Sequence, residues 1–124
     1  MNGNRVFADT NIILYLLSGN KKLAELLNKK IIYLSFITEL ELLGYEGLNK
    51  SDKIIIQNFL NECRIIGINE NIKKNTIRIK QKNKIKLPDA IIAATSRFIG
   101  IPLITSDKGF KKIKDLDLNL FEIQ

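Results

Sequence analysis

The sequence predicts an α/β fold in which helices cover both faces of a mostly parallel central sheet, a three-layer α/β/α sandwich. Short runs of apolar, β-branched residues alternate with segments of helical length along the whole chain. These runs have no polar alternate face, which is typical of strands buried on both sides. The length of 124 residues, without a repeat or a linker, corresponds to about one domain. We therefore expect a single domain over residues 1–124.

The predicted strands are five short apolar segments. The first covers residues 5–8 and is followed at once by Asp9. The others are predicted over residues 31–34, 64–68, 102–105 and 118–121. Ligands of parallel α/β sheets bind beyond the carboxyl ends of the strands, so the residues that follow each strand are the first candidates for a site.

The predicted helices fill the intervals between the strands. The first begins near residue 11, and the others cover residues 21–28, 36–48, 52–62, 70–84 and 88–99. Ser51 is the expected N-cap of the fourth helix, because a serine hydroxyl can accept a hydrogen bond from a free amide of the first turn. Pro88 is expected as the first helical residue of the last helix, where the missing amide costs nothing.

The composition excludes several kinds of chemistry. With no His and a single cysteine, Cys63, the chain can form neither a Ser-His-Asp triad, nor a His-ligated metal site, nor an internal disulfide. Its longest apolar run, residues 12–17, is far too short to span a bilayer and lacks the pattern of a secretory signal. We expect a cytoplasmic protein without membrane association, whose chemistry depends on carboxylates, hydroxyls, amides and lysines.

Two acids directly follow predicted strands. Asp9 opens the segment Asp9-Thr10-Asn11, and Asp107 follows the strand at residues 102–105 after one serine. Each could simply cap a helix or close a turn, because aspartate accepts hydrogen bonds from free amides there. At the carboxyl edge of a parallel sheet the same two positions can converge on one site.

A third acid, Glu41, lies within a predicted helix. It shares a stripe with Ile37, Leu40, Gly44 and Leu48. The stripe has the spacing of a buried helix face, whereas Glu39 is predicted to face solvent. A carboxylate within an apolar face is costly unless it is paired or binds a cation. The alternative is a capping box formed by Thr38 and Glu41 at the start of the helix.

The fourth acid, Asp89, opens the last predicted helix. Its own face carries Ile92, Ala93 and Ser96, so we expect its side chain to point into packed surface. The alternative is a first-turn carboxylate that complements the helix dipole.

Together, the four acids favour a cation site. Clustered carboxylates raise one another's pKa unless a cation neutralises them. Oxygen ligands without His or Cys suit Mg²⁺ or Mn²⁺, which can activate water and neutralise charge on a phosphoryl group. Short polar residues stand beside these acids and could orient them or their waters: Thr10, Asn11, Thr105 and Ser106.

The segments that carry these acids resemble the PIN-domain family, and within it the VapC-type toxin ribonucleases of toxin–antitoxin pairs. The resemblance rests on Asp9-Thr10-Asn11 and on the segments SFITELELLG (35–44), LPDAIIAA (87–94) and LITSDKGF (103–110), which occur in order across nearly the whole chain. It implies a single-strand endoribonuclease dependent on Mg²⁺ or Mn²⁺. The catalytic and metal-binding residues that it implies are Asp9, Glu41, Asp89 and Asp107.

The resemblance also assigns finer roles. The family's glutamate falls six residues after the serine that closes the second strand, which selects Glu41, counted from Ser35. Thr10 and Asn11 would orient water, Thr105 would line the pocket, and Asp107 would tune the site without being essential. In the implied reaction a metal-activated water attacks a phosphodiester and leaves a 5′-phosphate and a 3′-hydroxyl.

The net charge of +7 arises from 20 Lys and Arg against 13 Asp and Glu, and it is unevenly distributed. Seven basic residues and no acid lie between residues 73 and 86, and a second basic group follows Asp107. These groups could merely keep the protein soluble, or they could contact RNA phosphates. The predicted RNA-binding residues are Lys80, Lys82, Lys84, Lys86 and Lys108.

The resemblance implies two protein partners, a second copy in a homodimer and a small antitoxin whose C-terminal segment covers the acidic site. Two other functions remain open. One is a non-catalytic RNA-binding module of PIN-like fold. The other is a receiver-like signalling domain, although Glu41 and the Pro88-Asp89 motif disfavour it.

Overall fold

The computed structural model describes residues 3–123. The strands are β1 (Arg5–Ala8), β2 (Ile31–Ser35), β3 (Arg64–Ile66), β4 (Leu103–Thr105) and β5 (Leu118–Leu120). The helices are α1 (Thr10–Leu17), α2 (Lys21–Leu27), α3 (Phe36–Leu43), α4 (Lys50–Asn61), α5 (Glu70–Lys82), α6 (Leu87–Ile99) and a short 3-10 helix, Lys108–Lys112. No helix in this described part of the chain combines the length and hydrophobicity that crossing a membrane requires.

All strand pairs of the five-stranded sheet are parallel, in the order β3-β2-β1-β4-β5. In the register of the central strand, Phe7 pairs with Tyr33 on one side and with Leu103 on the other. The chain adds β2 and β3 on one side of β1 and then returns to place β4 on the other side. Such a reversal opens a crevice between the carboxyl ends of the two neighbouring strands, here β1 and β4.

Two hydrophobic cores, one on each face of the sheet, confirm the predicted three layers. Phe7 belongs to the core beneath α5 and α6, whereas the next residue, Ala8, belongs to the core beneath α1, α2 and α4. Successive side chains of a strand point to opposite faces, and both of these are fully buried. Burial on both faces explains why the strands show no polar alternation.

Most helix boundaries lie within two residues of the predictions, and the end of the third helix is the largest exception. The third helix ends at Leu43, five residues early, and Gly44 is its C-cap, with its amide bonded to the Leu40 carbonyl. The N-cap of α4 is Asn49, whose side chain accepts from the amide of Asp52, so the prediction of Ser51 is wrong. The last helix begins one residue earlier than expected, at Leu87.

Candidate active site: an acidic cavity at the carboxyl edge of the sheet

A cavity of about 500 Å³ lies beyond the carboxyl ends of β1 and β4. The four predicted acids, which come from four separate segments, all line it: Asp9, Glu41, Asp89 and Asp107. The predicted supporting residues Thr10 and Asn11 line it as well. We call this space the acidic cavity.

Asp9 is the most rigidly held of these acids. Its side chain is only 4% exposed. One carboxylate oxygen accepts from the amide of Ile12 at 3.0 Å, and the other accepts from the hydroxyl of Thr105. Asp9 is therefore the N-cap of α1, as the purely structural interpretation predicts, and its carboxylate is also part of the cavity wall.

Burial raises the pKa of Asp9 above its ordinary value of 3.8. The hydrogen bonds from Thr105 and Ile12 oppose this shift, while the negative charges of Asp89 and Asp107 add to it. Asp9 is thus an anion that the fold orients firmly but solvates poorly.

Asp89 lies in the first turn of α6 and is half-buried, as predicted. Burial raises the pKa of its carboxyl group, and the charges of Asp107 and Glu41 raise it further, whereas Lys86 lowers it. The acids therefore interact electrostatically across the cavity, which concentrates negative charge there.

The predicted burial of Glu41 is wrong. Glu41 is exposed, and its stripe neighbours Leu40 and Gly44 are exposed as well, with Leu40 at 57%. The buried residues of α3 are Thr38 and Leu42 instead. Helical periodicity identified residues that share a face, but the face is divided: Glu41 and Gly44 line the acidic cavity, whereas Ile37 packs against a core.

The carboxylate of Glu41 is oriented by a hydroxyl from another helix. The hydroxyl of Thr10 donates to Glu41 Oε1 at 2.6 Å and lies 3.0 Å from the hydroxyl oxygen of Thr38. The alternative of a capping box is wrong, because the N-cap of α3 is Ser35, whose hydroxyl accepts from the amide of Ile37.

Asp107 is exposed at the cavity wall and is the N-cap of the 3-10 helix. Its carboxylate accepts from the amide of Gly109 at 2.8 Å, so the turn interpretation is confirmed. Its own amide donates to the hydroxyl oxygen of Thr105 at 3.0 Å.

Thr105 does not line the acidic cavity as expected. It is fully buried at the end of β4, where its hydroxyl donates to Asp9 and accepts from the amide of Asp107. This single hydroxyl connects the segments that carry two of the acids. Thr105 can therefore act on the site only through the residues that it holds.

The acids suit a hydrated divalent ion better than a fully enclosed one. Within residues 3–123, no group of three or more Asp, Glu or Cys side chains is arranged to hold a metal ion. Mg²⁺, however, usually keeps several waters and takes only one or two carboxylates directly. Burial raises the pKa of Asp9 and Asp89, the neighbouring carboxylates raise it further, and a bound cation would lower both pKa values. The oxygen donors therefore fit a hydrated divalent cation.

The predicted RNA-binding lysines do not form one group. Lys86 lines the acidic cavity, and Lys84 joins it in a smaller adjoining cavity. The ammonium group of Lys80 donates to the backbone of the loop before α6 at 2.8 Å. Lys108 is exposed beside Asp107, whereas Lys82 lines a different cavity, described below.

Tyr45, which was assigned no role from the sequence, lines the acidic cavity and is 59% exposed. The prediction that α3 continues to residue 48 placed Tyr45 within a helix. In the structure α3 ends before Gly44, at which a Cβ would lie 2.7 Å from the Leu40 carbonyl oxygen. The glycine was the available signal for this earlier end.

Comparisons with known proteins agree with this geometry. The family model of the PIN domain matches residues 6–116. A chain of a toxin–antitoxin complex from Klebsiella pneumoniae is 30% identical, with 95% of this chain and 99% of that chain covered and a TM-score of 0.81. A chain of VapBC-1 from nontypeable Haemophilus influenzae is 28% identical, with 94% of this chain and 97% of that chain covered and a TM-score of 0.77. No curated protein sequence matches significantly.

A third structure supports the fold alone. A chain of VapBC2 from Rickettsia felis has a TM-score of 0.83 over 95% of this chain and 99% of that chain, at 21% identity. The family match includes the positions of all four acids, and the neighbours confirm the resemblance to VapC-type proteins. The chain belongs to the PIN domain family.

Proposed function

We propose that this chain is a metal-dependent single-strand endoribonuclease and the toxin of a toxin–antitoxin pair. One observation carries the proposal: carboxylates from four distant segments of a PIN domain line one cavity, and a lysine lines it with them. Nucleases of this family use divalent metals, and the oxygen donors of the cavity are of the type that such ions prefer.

A divalent ion among these carboxylates would polarise a phosphoryl oxygen and lower the pKa of a bound water. The protein's part is to position the oxygen donors. Asp9 is fixed by Thr105 and by the Ile12 amide, and Glu41 is fixed by the Thr10 hydroxyl. Because these bonds are formed before substrate arrives, little reorganisation is needed during the reaction.

Lys86 has a separate role in this proposal. It lines the acidic cavity and is the cation that lowers the pKa of Asp89. An ammonium group at this place can attract a phosphodiester towards a cavity whose carboxylates would otherwise repel it. Lys84, in the adjoining cavity, extends the same attraction away from the acids.

The test is cleavage of single-stranded RNA by Asp9→Asn and Asp89→Asn variants in Mg²⁺ or Mn²⁺. We expect each substitution to reduce the rate by roughly 10²–10³-fold, as losses of electrostatic catalytic groups do. EDTA should abolish cleavage by the unmodified protein. Asp117→Asn is the matched control, because Asp117 is exposed and does not line the acidic cavity. Undiminished cleavage by both Asp9 and Asp89 variants would contradict the mechanism.

The second candidate is a non-catalytic RNA-binding module with the same fold. It is favoured by the observation that no three carboxylates in residues 3–123 form a ready-made metal site. RNA binding that depends on salt but not on EDTA, with no cleavage products at any metal concentration, would select this function.

We also propose a cytoplasmic location and a cognate antitoxin as partner. We further infer that the chain is a single domain and that two copies form a homodimer. The support is the similarity to solved toxin–antitoxin complexes and several exposed apolar side chains, among them Leu40, Ile54 and Ile55 at 54–61%. Co-purification with the product of a short neighbouring open reading frame tests the antitoxin. The mass of the purified chain in solution tests the dimer.

A further inference from the structure

A second cavity, of about 560 Å³, lies between the C-terminal half of α5, the end of α6 and the segment that follows the 3-10 helix. We call it the basic cleft. Five cations line it: Arg78, Lys82, Arg97, Lys112 and Lys114. Lys82 is among the named RNA-binding residues, Arg78, Lys112 and Lys114 belong to the two basic groups considered for phosphate contact, and Arg97 belongs to neither.

The positive charge of the basic cleft is largely unneutralised. Asp115 is the one acid among its lining residues in the described part of the chain. It pairs loosely with Arg97 at 4.0 Å, and its side chain is 89% exposed. Cations that line a concave surface reinforce one another's potential, so the cleft attracts an anion more strongly than the same charges on a flat surface.

A small cavity of about 200 Å³ joins the basic cleft to the acidic cavity. It shares Lys86, Asp89 and Asp107 with the acidic cavity and Lys112 with the basic cleft. The ammonium group of Lys112 donates to the carbonyl oxygen of Lys84 at 2.7 Å, which fixes this lysine at the junction. The three spaces therefore adjoin one another in series through shared lining residues, and we call this series the path.

The lining of the basic cleft suits a phosphate chain rather than nucleobases. None of its lining residues, all within residues 3–123, is aromatic, and its uncharged members are Asn75, Ile79, Asn83 and Ile113. Bases of single strands are usually held by stacking on aromatic rings, whereas phosphates are held by lysine and arginine. The cleft can thus attract a nucleic acid without reading its sequence.

We propose that the basic cleft binds the sugar–phosphate backbone of single-stranded RNA, in the segment that flanks the phosphodiester held in the acidic cavity. The inference rests on the proposed nuclease function for the identity of the strand. RNA is favoured over an acidic protein segment because the path from the cleft ends at the carboxylates that would act on a phosphodiester.

The test combines three substitutions, Arg78→Gln, Lys82→Gln and Lys114→Gln, in one protein. All three side chains are exposed, so glutamine should be tolerated. Binding of a 12-nucleotide and a 4-nucleotide RNA is measured in EDTA over a range of salt concentrations. We expect affinity for the longer RNA to fall roughly tenfold. The salt slope, which is the slope of the logarithm of the association constant against the logarithm of salt concentration, should decrease in magnitude by about two, at about 0.7 per lost phosphate contact.

The matched control removes the same charge from the opposite face of the molecule, with Lys21→Gln, Lys50→Gln and Lys53→Gln on α2 and α4. These residues are exposed and line neither cavity. The control should bind the longer RNA with nearly the unmodified salt slope. In cleavage of the longer RNA, the cleft variant should raise KM and change kcat little, because it lacks a binding contact rather than a carboxylate.

The nuclease proposal and the cleft inference can fail separately, because RNA binding in EDTA is measured without cleavage. If the unmodified protein cleaves no RNA but the salt slope still falls only in the cleft variant, the cleft inference holds and the nuclease proposal fails. Equal losses in the cleft and control variants would overturn the inference. The inference would also be overturned if the cleft variant kept the salt slope for RNA but lost binding of a poly-glutamate peptide. That result would indicate that the cleft binds an acidic protein.

Discussion

The acidic cavity and the basic cleft are of similar size, about 500 and 560 Å³, but they are built in different ways. In the acidic cavity, Asp9 is buried and receives two hydrogen bonds, and Glu41 is oriented by Thr10. In the basic cleft, Arg78 and Lys82 are exposed to solvent. Under the proposed function, the acids require fixed positions, whereas attraction of a polyanion requires only charge in the right region.

The largest difference between the two regions is expected when a charge is moved without being removed. Asp9→Glu keeps the carboxylate but displaces it by one methylene group, and a shift of about 1 Å at a reacting centre can cost about 10²-fold in rate. Lys82→Arg keeps the charge of the cleft and should change the rate no more than about fivefold, as expected for exposed charge contacts. The measurement is kcat/KM on the longer RNA.

Thermal unfolding of both proteins provides the control for this pair. Each variant must retain a cooperative transition near that of the unmodified protein before the rates are compared. If Asp9→Glu and Lys82→Arg lose activity equally, the reaction is no more sensitive to the position of the carboxylate than to that of the lysine. The proposed difference between the two regions would then be wrong.

A smaller effect is expected from Thr105→Val, which leaves all four acids in place. It removes the hydroxyl that donates to Asp9 and accepts from the amide of Asp107. Loss of a group that orients a metal ligand typically costs about 10–100-fold. The readout is kcat together with the Mg²⁺ concentration that gives half-maximal rate, which a merely destabilised protein would not shift. Thr105→Ser keeps the hydroxyl and should restore most of the activity.

The smallest expected effect is that of Asp9→Asn on the free energy of unfolding. It is a gain in stability, whereas the other substitutions cause losses of activity. Burial raises the pKa of Asp9, so between 3.8 and the raised value the folded state binds more protons than the unfolded state. Stability therefore falls as the pH rises through this window and stays lowered at neutral pH. Asp9→Asn removes this cost and should raise the free energy of unfolding at pH 7.

Urea unfolding in EDTA, at pH 7 and near pH 4, tests this prediction. Asparagine can still accept from the amide of Ile12 and can bond the hydroxyl of Thr105, so the comparison isolates the charge. The gain should shrink as the pH falls, because protonation of the unmodified carboxyl group in the folded state removes the buried charge. A variant that is less stable at pH 7 would show that the anion stabilises the fold.

The prediction of the fold from the sequence succeeded because the strands are short, apolar and separated by helix-length segments. The same reasoning located Asp9 and Asp107, since a residue that follows a strand of a parallel sheet lies at its carboxyl edge. It failed for the environment of Glu41, because periodicity cannot show whether a helix face borders a core or a cavity. The expectation that Thr105 orients a carboxylate is confirmed by its bond to Asp9, whereas the pocket-lining role implied by the resemblance is wrong.

Lys82 illustrates a second limit. In the sequence it belongs to one run with Lys84 and Lys86, but it ends α5, and the turn to α6 directs it to a different cavity. A charge count along the chain therefore located the basic region without resolving its two parts. The arginines of the cleft, Arg78 and Arg97, come from different helices and carry no shared sequence pattern.

The bond between Thr105 and Asp9 joins residues 96 positions apart, across the junction of β1 and β4. A nascent chain that ends before β4 already contains Asp9, Glu41 and Asp89, but it has no hydroxyl to orient Asp9 and no Asp107. Contacts of such long sequence separation form only after the intervening chain has been ordered. If the proposed nuclease function holds, this order of assembly delays activity until β4 has been synthesised, so a ribosome would not be exposed to RNA cleavage by a shorter nascent chain.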